Sequence, residues 1–345
     1  MIPIFEPEFT DEDKAAVAEV LDSGWLNEHT KTRLFEETFA HYVGAKYAVA
    51  SSSGTAAIFL ALKAAGVDEG SRVAVPAYVA IGTVRAIQLS GAWAVLVDVD
   101  EQGNMDVEEA KEANASHVVA VHNNGYPCKI RELMSHFGAD AAIEDACQSI
   151  GSRLHGRHLG AISGLGCFSL ATTKIVTAGQ GGVTVTNDEA TYNYLQRLKN
   201  QGNFRGVDPP DTYRSLGYNF KWTEMQAALA LSQMRRLPDR IVRMQGVVAE
   251  YAKHGVYKPP PAGVLPWRMT FNVDERRRDE VVAKMNKKGV GAQPFPKPMH
   301  QHTGGYEFPG AEKHSARGLY LPSSFDLNSQ QVEYVCDALK EALYG

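Results

Sequence analysis

The sequence predicts an α/β fold in which a sheet is covered by helices on both faces and is followed by a smaller α+β unit. Three observations carry this expectation. From residue 47 onward, short apolar runs recur: "KYAVA", "RVAVPAY", "AVLVDVD", "HVVAVHN", "AAIEDAC", "CFSLA" and "GGVTVTND". Several of them are separated by helix-length segments such as "TAAIFLALKAAG" and "KIRELMSHFG", the alternation expected of a sheet with helices on both sides. The chain has 345 residues, 44% of them hydrophobic and 22% charged, enough to bury one large core and a lesser one.

Taken in order, "TDEDKAAVAEVLDSG" reads as a helix, with Thr10 as N-cap, acidic residues in the first turn and Gly24 as the stop. A second helical pattern runs through "TRLFEETFAHYVG" before the strands begin. After them, "TEMQAALALSQMRRLPDRIVRMQGVVAEYAKHG" is strongly helical, and Pro238 kinks or divides it. "KPPPAG" at 258–263 marks an internal boundary. Beyond it, "WRMTFNV", "RRDEVVAKMNKKG" and "NSQQVEYVCDALKEAL" form the α+β unit. The expected division is a large domain over 1–240 and a small C-terminal domain over 241–345.

Composition narrows the function. Lys and Arg number 35 against 40 Asp and Glu, a net charge of −5 that gives no global attraction to nucleic acid or to an anionic membrane. No run of about 18 apolar residues suggests a membrane span, and the N-terminus lacks a basic, apolar leader pattern. Four widely spaced cysteines suit reduced core thiols better than disulfides or a zinc site, which points to the cytoplasm.

Three segments bear chemistry. In "SSSGTAAIFLALKAAG", Ser53, Gly54 and Thr55 follow a strand and open an apolar helix. Free N–H groups and the positive end of the helix dipole make that spot a cradle for phosphate. It matches neither a Walker A loop nor a dinucleotide fingerprint, and on its own it reads first as a plain N-cap. "AAIEDACQSIG" ends a strand in Glu144 and Asp145, with Gln148 just after; strand carboxyl ends face the ligand crevice in open α/β sheets, so one carboxylate is expected in a site. Lys174 follows apolar "FSLA" and precedes "GQGG". Held near the sheet end, its desolvated amine acquires a lowered pKa suited to attack on an aldehyde, although a lone lysine is ordinarily a surface residue. Together, cradle, aspartate and lysine are the three contacts that pyridoxal phosphate (PLP) requires.

Read in sequence, these residues resemble the DegT/StrS-type sugar aminotransferases, a branch of the fold-type I, aspartate aminotransferase-like PLP enzymes. The likeness runs through "GWLNEHTKTRLFEETFAHYVGAKYAVASSSGTAAI", "IEDACQSIGS", "CFSLATTKIVTAGQGGVTVTND", "LGYNFKWTEMQAALALSQMRRL" and "LYLPSSFDLNSQQVEYV". It implies the PLP-transferase fold of type I: a large domain on a mixed, mostly parallel sheet and a smaller C-terminal α+β domain. It further implies that Lys174 binds the cofactor aldehyde and moves protons, and that Asp145 pairs with the pyridinium nitrogen. Gln148 would donate to the ring hydroxyl, while Gly54, Thr55 and Ser169 would bind the phosphate. Asn219 in "GYNF" would reach the phosphate of a neighbouring subunit, making a homodimer with shared active sites. The implied reaction moves an amino group from L-glutamate to a nucleotide-linked keto-deoxysugar, at the 4-keto position of a 6-deoxyhexose.

Two positions depart from the family pattern. Ala80 stands where an aromatic ring usually stacks on the cofactor, with Tyr78 or another ring as a substitute, and Gln180 replaces an acidic residue in "GQGG". Lys221, Arg214 and Arg33 are candidates for the substrate diphosphate. His300 in "PKPMHQH" matches a histidine beside the family's site. His155 and His158 have metal-ligand spacing without companion ligands, so no metal is expected. Two rival readings stay open: a PLP-dependent sugar dehydratase, against which Lys174 counts because such relatives carry histidine there, and a non-catalytic protein that binds PLP or an aminosugar.

Overall fold

The seven apolar runs become the seven strands of one sheet. The structure, a computed structural model, describes residues 1–303 and 306–345. The strands are β1 (Tyr47–Ser51), β2 (Arg72–Pro76), β3 (Trp93–Val97), β4 (His117–Val121), β5 (Ala142–Asp145), then, after the short hairpin β6 (Arg153–Leu154) and β7 (Arg157–His158), β8 (Leu165–Ser169) and β9 (Gly182–Thr186). Their order is β1-β9-β8-β5-β4-β2-β3, and β9 alone runs against the rest. The sheet is therefore mixed and mostly parallel, as expected.

The helices are α1 (Asp11–Ser23), α2 (Thr30–Val43), α3 (Gly54–Ala64), α4 (Ile81–Leu89), α5 (Val107–Glu112), α6 (Ile130–Phe137), α7 (Glu189–Lys199), α8 (Glu224–Arg235), α9 (Leu237–Lys253), α10 (Arg278–Lys287), α11 (His300–Thr303), α12 (Pro309–Arg317) and α13 (Ser329–Tyr344). Thr10 and Asp13 form a capping box on α1, and Gly24 ends it in the left-handed conformation at φ 66°. One sheet face packs on α3, α4 and α7 through Val49, Leu60, Ile87, Ile143 and Leu195. The other carries α2 and α8 through Phe35, Phe39, Phe168 and Leu231, and α5 and α6 through Ala110 and Leu133.

Pro238 stands in the first turn of α9, where a missing N–H removes no helical bond, so it divides α8 from α9. The expected boundary after residue 240 falls inside α9. The C-terminal sheet, β10 (Met269–Asn272), β12 (Gly318–Leu321) and β11 (Gln293–Pro294), is antiparallel. Along it lie the first residues of the chain: the Ile2 amide donates to Gly289 O (2.8 Å), Gly291 to Ile2 O (2.7 Å) and Ser323 to Ile4 O (2.8 Å). One apolar cluster continues from Phe35 and Phe168 through Trp222 to Met269, Val281 and Leu339, so the two sheets share a core.

Candidate active site

The ends of β1, β5 and β8 and the start of β9 meet at one edge of the large sheet, where Ser51 and Ser169 both pair with Gly182. Helix α3 starts there. Ser53 caps it, accepting the Ala56 amide on Oγ (3.1 Å) and the Ala57 amide on its carbonyl (2.9 Å). The amides of Gly54 and Thr55 are left without an acceptor inside the helix. A Cβ at Gly54 would lie 3.0 Å from Ser169 Cβ and 3.2 Å from Cys147 Sγ and Ser169 Oγ. Only glycine lets the helix start come this close to the end of β8 and the loop after β5. The result is a concave nest of N–H and O–H donors.

Asp145 closes β5 and is buried. Its Oδ2 accepts from Thr83 Oγ1 (2.8 Å) and its Oδ1 from the Cys147 amide (3.1 Å), which fixes the carboxylate. Alternate strand residues face opposite sides, and Glu144 accordingly points elsewhere. It accepts from the amides of Gly160 (2.8 Å), Ile162 (2.8 Å) and Ser163 (2.6 Å) and pairs with His122 Nε2 at 3.0 Å. Burial would raise the Glu144 carboxyl, but His122 and these amides hold it below the usual range. Of the two acids at the strand end, Asp145 is the one at the site. Gln148 accepts the Asn124 amide on Oε1 (2.7 Å), which leaves its Nε2 as a donor.

Lys174 sits in the turn after β8, with its amide bonded to Ala171 O (3.0 Å). Burial lowers the amine to about 8; the Arg268 guanidinium adds to that effect and the Asp145 carboxylate opposes it. Its Nζ lies 4.1 Å from the centroid of the Trp267 ring. A narrow cavity is lined by Phe5, Cys147, Gln148, Ser169, Lys174 and Trp267, among others. Lysine and serine from the end of β8 and the turn after it are thus brought together with the glutamine that follows β5, with Asp145 and the Gly54 amide against the same wall.

The sequence reading omits Thr83, Asn124, Trp267 and Arg268. Thr83 lies one turn beyond Ala80, and a hydroxyl at that spacing was a usable signal. Trp267 and Arg268 follow a proline-rich run far from the lysine, and nothing local marks them. Both nevertheless hold the lysine loop: Trp267 Nε1 and Arg268 Nη2 donate to Thr173 O at 3.0 and 3.2 Å. The ring against Lys174 is therefore Trp267. Ala80 is exposed at the start of α4, and Tyr78 packs against Phe295 and His314, with its hydroxyl 3.4 Å from that of Tyr320. The exposed Gln180 holds the loop through its carbonyl, which accepts from Trp222 Nε1 (3.2 Å) and Gln226 Nε2 (2.8 Å).

Other candidates lie apart from this cavity. Asn219 is exposed and accepts from Lys221 Nζ at 2.7 Å. Arg214 is paired with Asp208 at 3.0 Å, and Arg33 lines a separate cleft with Glu28 and Glu36. His300 is buried against Glu312, 2.9 Å away. His158 uses both ring nitrogens on the backbone, accepting from Gly151 and donating to Leu159 O, and burial lowers it to about 4; His155 occupies the β6–β7 turn at φ 50°.

The sequence model of the DegT/DnrJ/EryC1/StrS aminotransferase family matches residues 7–340. The chain belongs to this family. It is 30% identical to the GDP-perosamine synthase of Escherichia coli O157:H7 over 358 residues, covering 99% of this chain and 98% of the relative. To the GDP-perosamine synthase of Vibrio cholerae it is 29% identical over 371 residues, with the same coverage. Among solved structures, the aminotransferase TlmJ from Streptoalloteichus hindustanus matches with a TM-score of 0.91 at 26% identity, covering 99% of both chains.

Proposed function

We propose that this family member is a PLP-dependent aminotransferase that moves an amino group from L-glutamate to a nucleotide-linked keto-deoxysugar, in surface-polysaccharide or natural-product sugar biosynthesis. One observation carries the reading: a lysine amine lowered to about 8 stands beside a fixed, buried aspartate and a nest of free amides. The donors gathered at the cavity suit PLP. Gly54, Thr55 and Ser169 would hold the phosphate, Gln148 the ring hydroxyl, Asp145 the ring nitrogen and Lys174 the aldehyde. When bound, PLP supplies a carbonyl for amine exchange and a ring that takes up the electron pair left when the α-proton departs.

The chain's own groups do the rest. Asp145, anchored by Thr83 and Cys147, keeps a proton at the ring nitrogen; each pKa unit of that pairing corresponds to about 1.4 kcal/mol. Lys174 Nζ is the base that removes the donor's α-proton and, as the ammonium, the acid that returns one. The names of the two relatives favour a GDP-linked amino sugar as product and a 4-keto-6-deoxyhexose as acceptor. A cleft of about 840 Å³ supports such a substrate, because Gln102, Asn272, Tyr126, Tyr257 and Tyr320 offer amides, hydroxyls and ring faces to a sugar. Asn219, exposed on its own chain, is assigned to a neighbour's site in a homodimer. Four free cysteines, three of them buried, accord with a cytoplasmic location.

The test is spectroscopic. The PLP-loaded protein should be yellow, and L-glutamate should bleach that band with release of 2-oxoglutarate. Lys174→Ala should retain some PLP through the phosphate nest and show no glutamate response. A yellow wild type indifferent to glutamate, or a fully active Lys174→Ala, would sink the proposal.

A further inference from the structure

Among the described residues, Arg268 is a buried cation without an anion. Its side chain is 4% exposed, and Nη1 has no hydrogen-bond partner among the described residues. Burial lowers this guanidinium to about 10, a sign of how little compensates its charge. The fold nevertheless holds it firmly. Asn124 clamps its backbone from both sides, accepting the Arg268 amide on Oδ1 (2.8 Å) and donating Nδ2 to the Arg268 carbonyl (3.0 Å). The rings of Phe5 and Trp267 lie 4.3 and 4.6 Å from its Cζ, and Nη2 donates to Thr173 O, one residue before the lysine. A purely structural role, fastening the N-terminal segment to the lysine loop, accounts for the rings and for Nη2. It leaves Nη1 bare in a place where an unmade bond to a charged group is costly.

We infer that Arg268 receives the α-carboxylate of the amino donor, an assignment that rests on the aminotransferase reading above. The donor must bring its amine to Lys174, and its carboxylate is one bond from the carbon that bears that amine. Lys174 Nζ and the Arg268 guanidinium lie 4.1 and 4.6 Å from the centroid of the same indole, and Arg268 is bonded to the residue before the lysine, so one small amino acid can span the two. Two other anions suit this position poorly. The cofactor phosphate has its own donors at Gly54, Thr55 and Ser169, and the substrate diphosphate is separated from a 4-keto carbon by the width of a sugar ring. A carboxylate on Nη1 would form a charge-assisted bond and remove the uncompensated charge.

The experiment compares PLP-loaded wild type, Arg268→Gln and Arg268→Lys in two measurements. Calorimetry reads binding of glutarate, a dicarboxylate that cannot transaminate. Absorbance reads the half-reaction with L-glutamate. In Arg268→Gln, Kd for glutarate and the half-saturating L-glutamate concentration should both rise at least about 20-fold, while the rate at saturation falls less than about threefold. Arg268→Lys should recover part of the binding, because it keeps the charge and loses the fork. Unchanged binding and saturation in Arg268→Gln would overturn the assignment, and so would a collapse of the saturated rate with binding intact. If Arg268→Gln does not fold, Arg268→Lys decides: a rise in Kd of at least about threefold is expected, and none refutes the role. A wild type that binds glutarate but ignores L-glutamate would count against the aminotransferase reading and leave the anion receptor standing.

Discussion

Burial holds the Lys174 amine at about 8, against 10.5 for a solvated lysine, and this has consequences that need no substrate. Below pH 8 both the folded and the unfolded chain carry the proton, so the full penalty of a desolvated ammonium weighs on the fold. Between about 8 and 10.5 the folded state has released the proton and the unfolded state has not, so stability rises with pH through that window. PLP-free Lys174→Met should therefore unfold with about 1–2 kcal/mol more stability than wild type at pH 7, full conversion of the shift being discounted because the side chain is partly exposed. The advantage should fade toward pH 10.5. Urea titrations across that range check it, and a Met variant less stable at every pH would refute it. The same amine sets aldehyde capture: the initial rate of colour formation with PLP should rise about tenfold from pH 7 to pH 9, as the neutral fraction grows. Lys174 was legible from sequence because its signal is local, an apolar strand before it and a glycine turn after it. Arg268, which helps set its pKa, was illegible because only the fold brings "PWRM" to "TTKI".

The start of α3 shows what the elements contribute. Two effects compete when Gly54 becomes Ala. Alanine favours the helix by roughly 0.5–1 kcal/mol, while its Cβ would crowd Ser169 and Cys147 and intrude on the nest. Folding stability should then change by less than about 1 kcal/mol, whereas PLP affinity falls tenfold or more. Melting curves and PLP titration separate the two; unchanged affinity would show that the nest is not the phosphate site. Gly182→Ala should be worse for the fold, since its Cβ would collide with the Ser53 carbonyl and push the helix start off β9. The strands and the α8–α9 division could be read in advance, because alternation, turn residues and Pro238 act within a few residues. Long-range supports could not. Glu224, for example, opens α8 and accepts the amides of His29, Lys31 and Thr32 together with the Thr32 hydroxyl, capping α2 from nearly two hundred residues away.

At the scale of the whole molecule, the candidate site lies where the large sheet meets the segment leading into the C-terminal sheet. The large sheet supplies Lys174, Asp145 and the amide nest, while Trp267 and Arg268 come from the segment leading into β10. Phe5 comes from the N-terminal stretch, which Glu8 also ties to Arg240 and Arg243. Asn219 and Lys221 do not join this assembly in their own chain; they face outward, bonded to each other. If they complete a neighbour's site, two inactive variants should rescue one another. Lys174→Ala abolishes the site built on its own lysine, and Asn219→Ala spoils the site of its partner. In a heterodimer of the two, one site then carries both lesions and the other carries neither. Random pairing of equal amounts gives half heterodimers with one intact site in two, so coexpression should restore about a quarter of wild-type activity per subunit. Were Asn219 to act on its own chain's lysine, every site in the mixture would hold one lesion, and activity would stay at the mean of the two parents. The glutamate-dependent absorbance change, read on purified coexpressed protein against each parent alone, distinguishes a quarter of wild type from that mean.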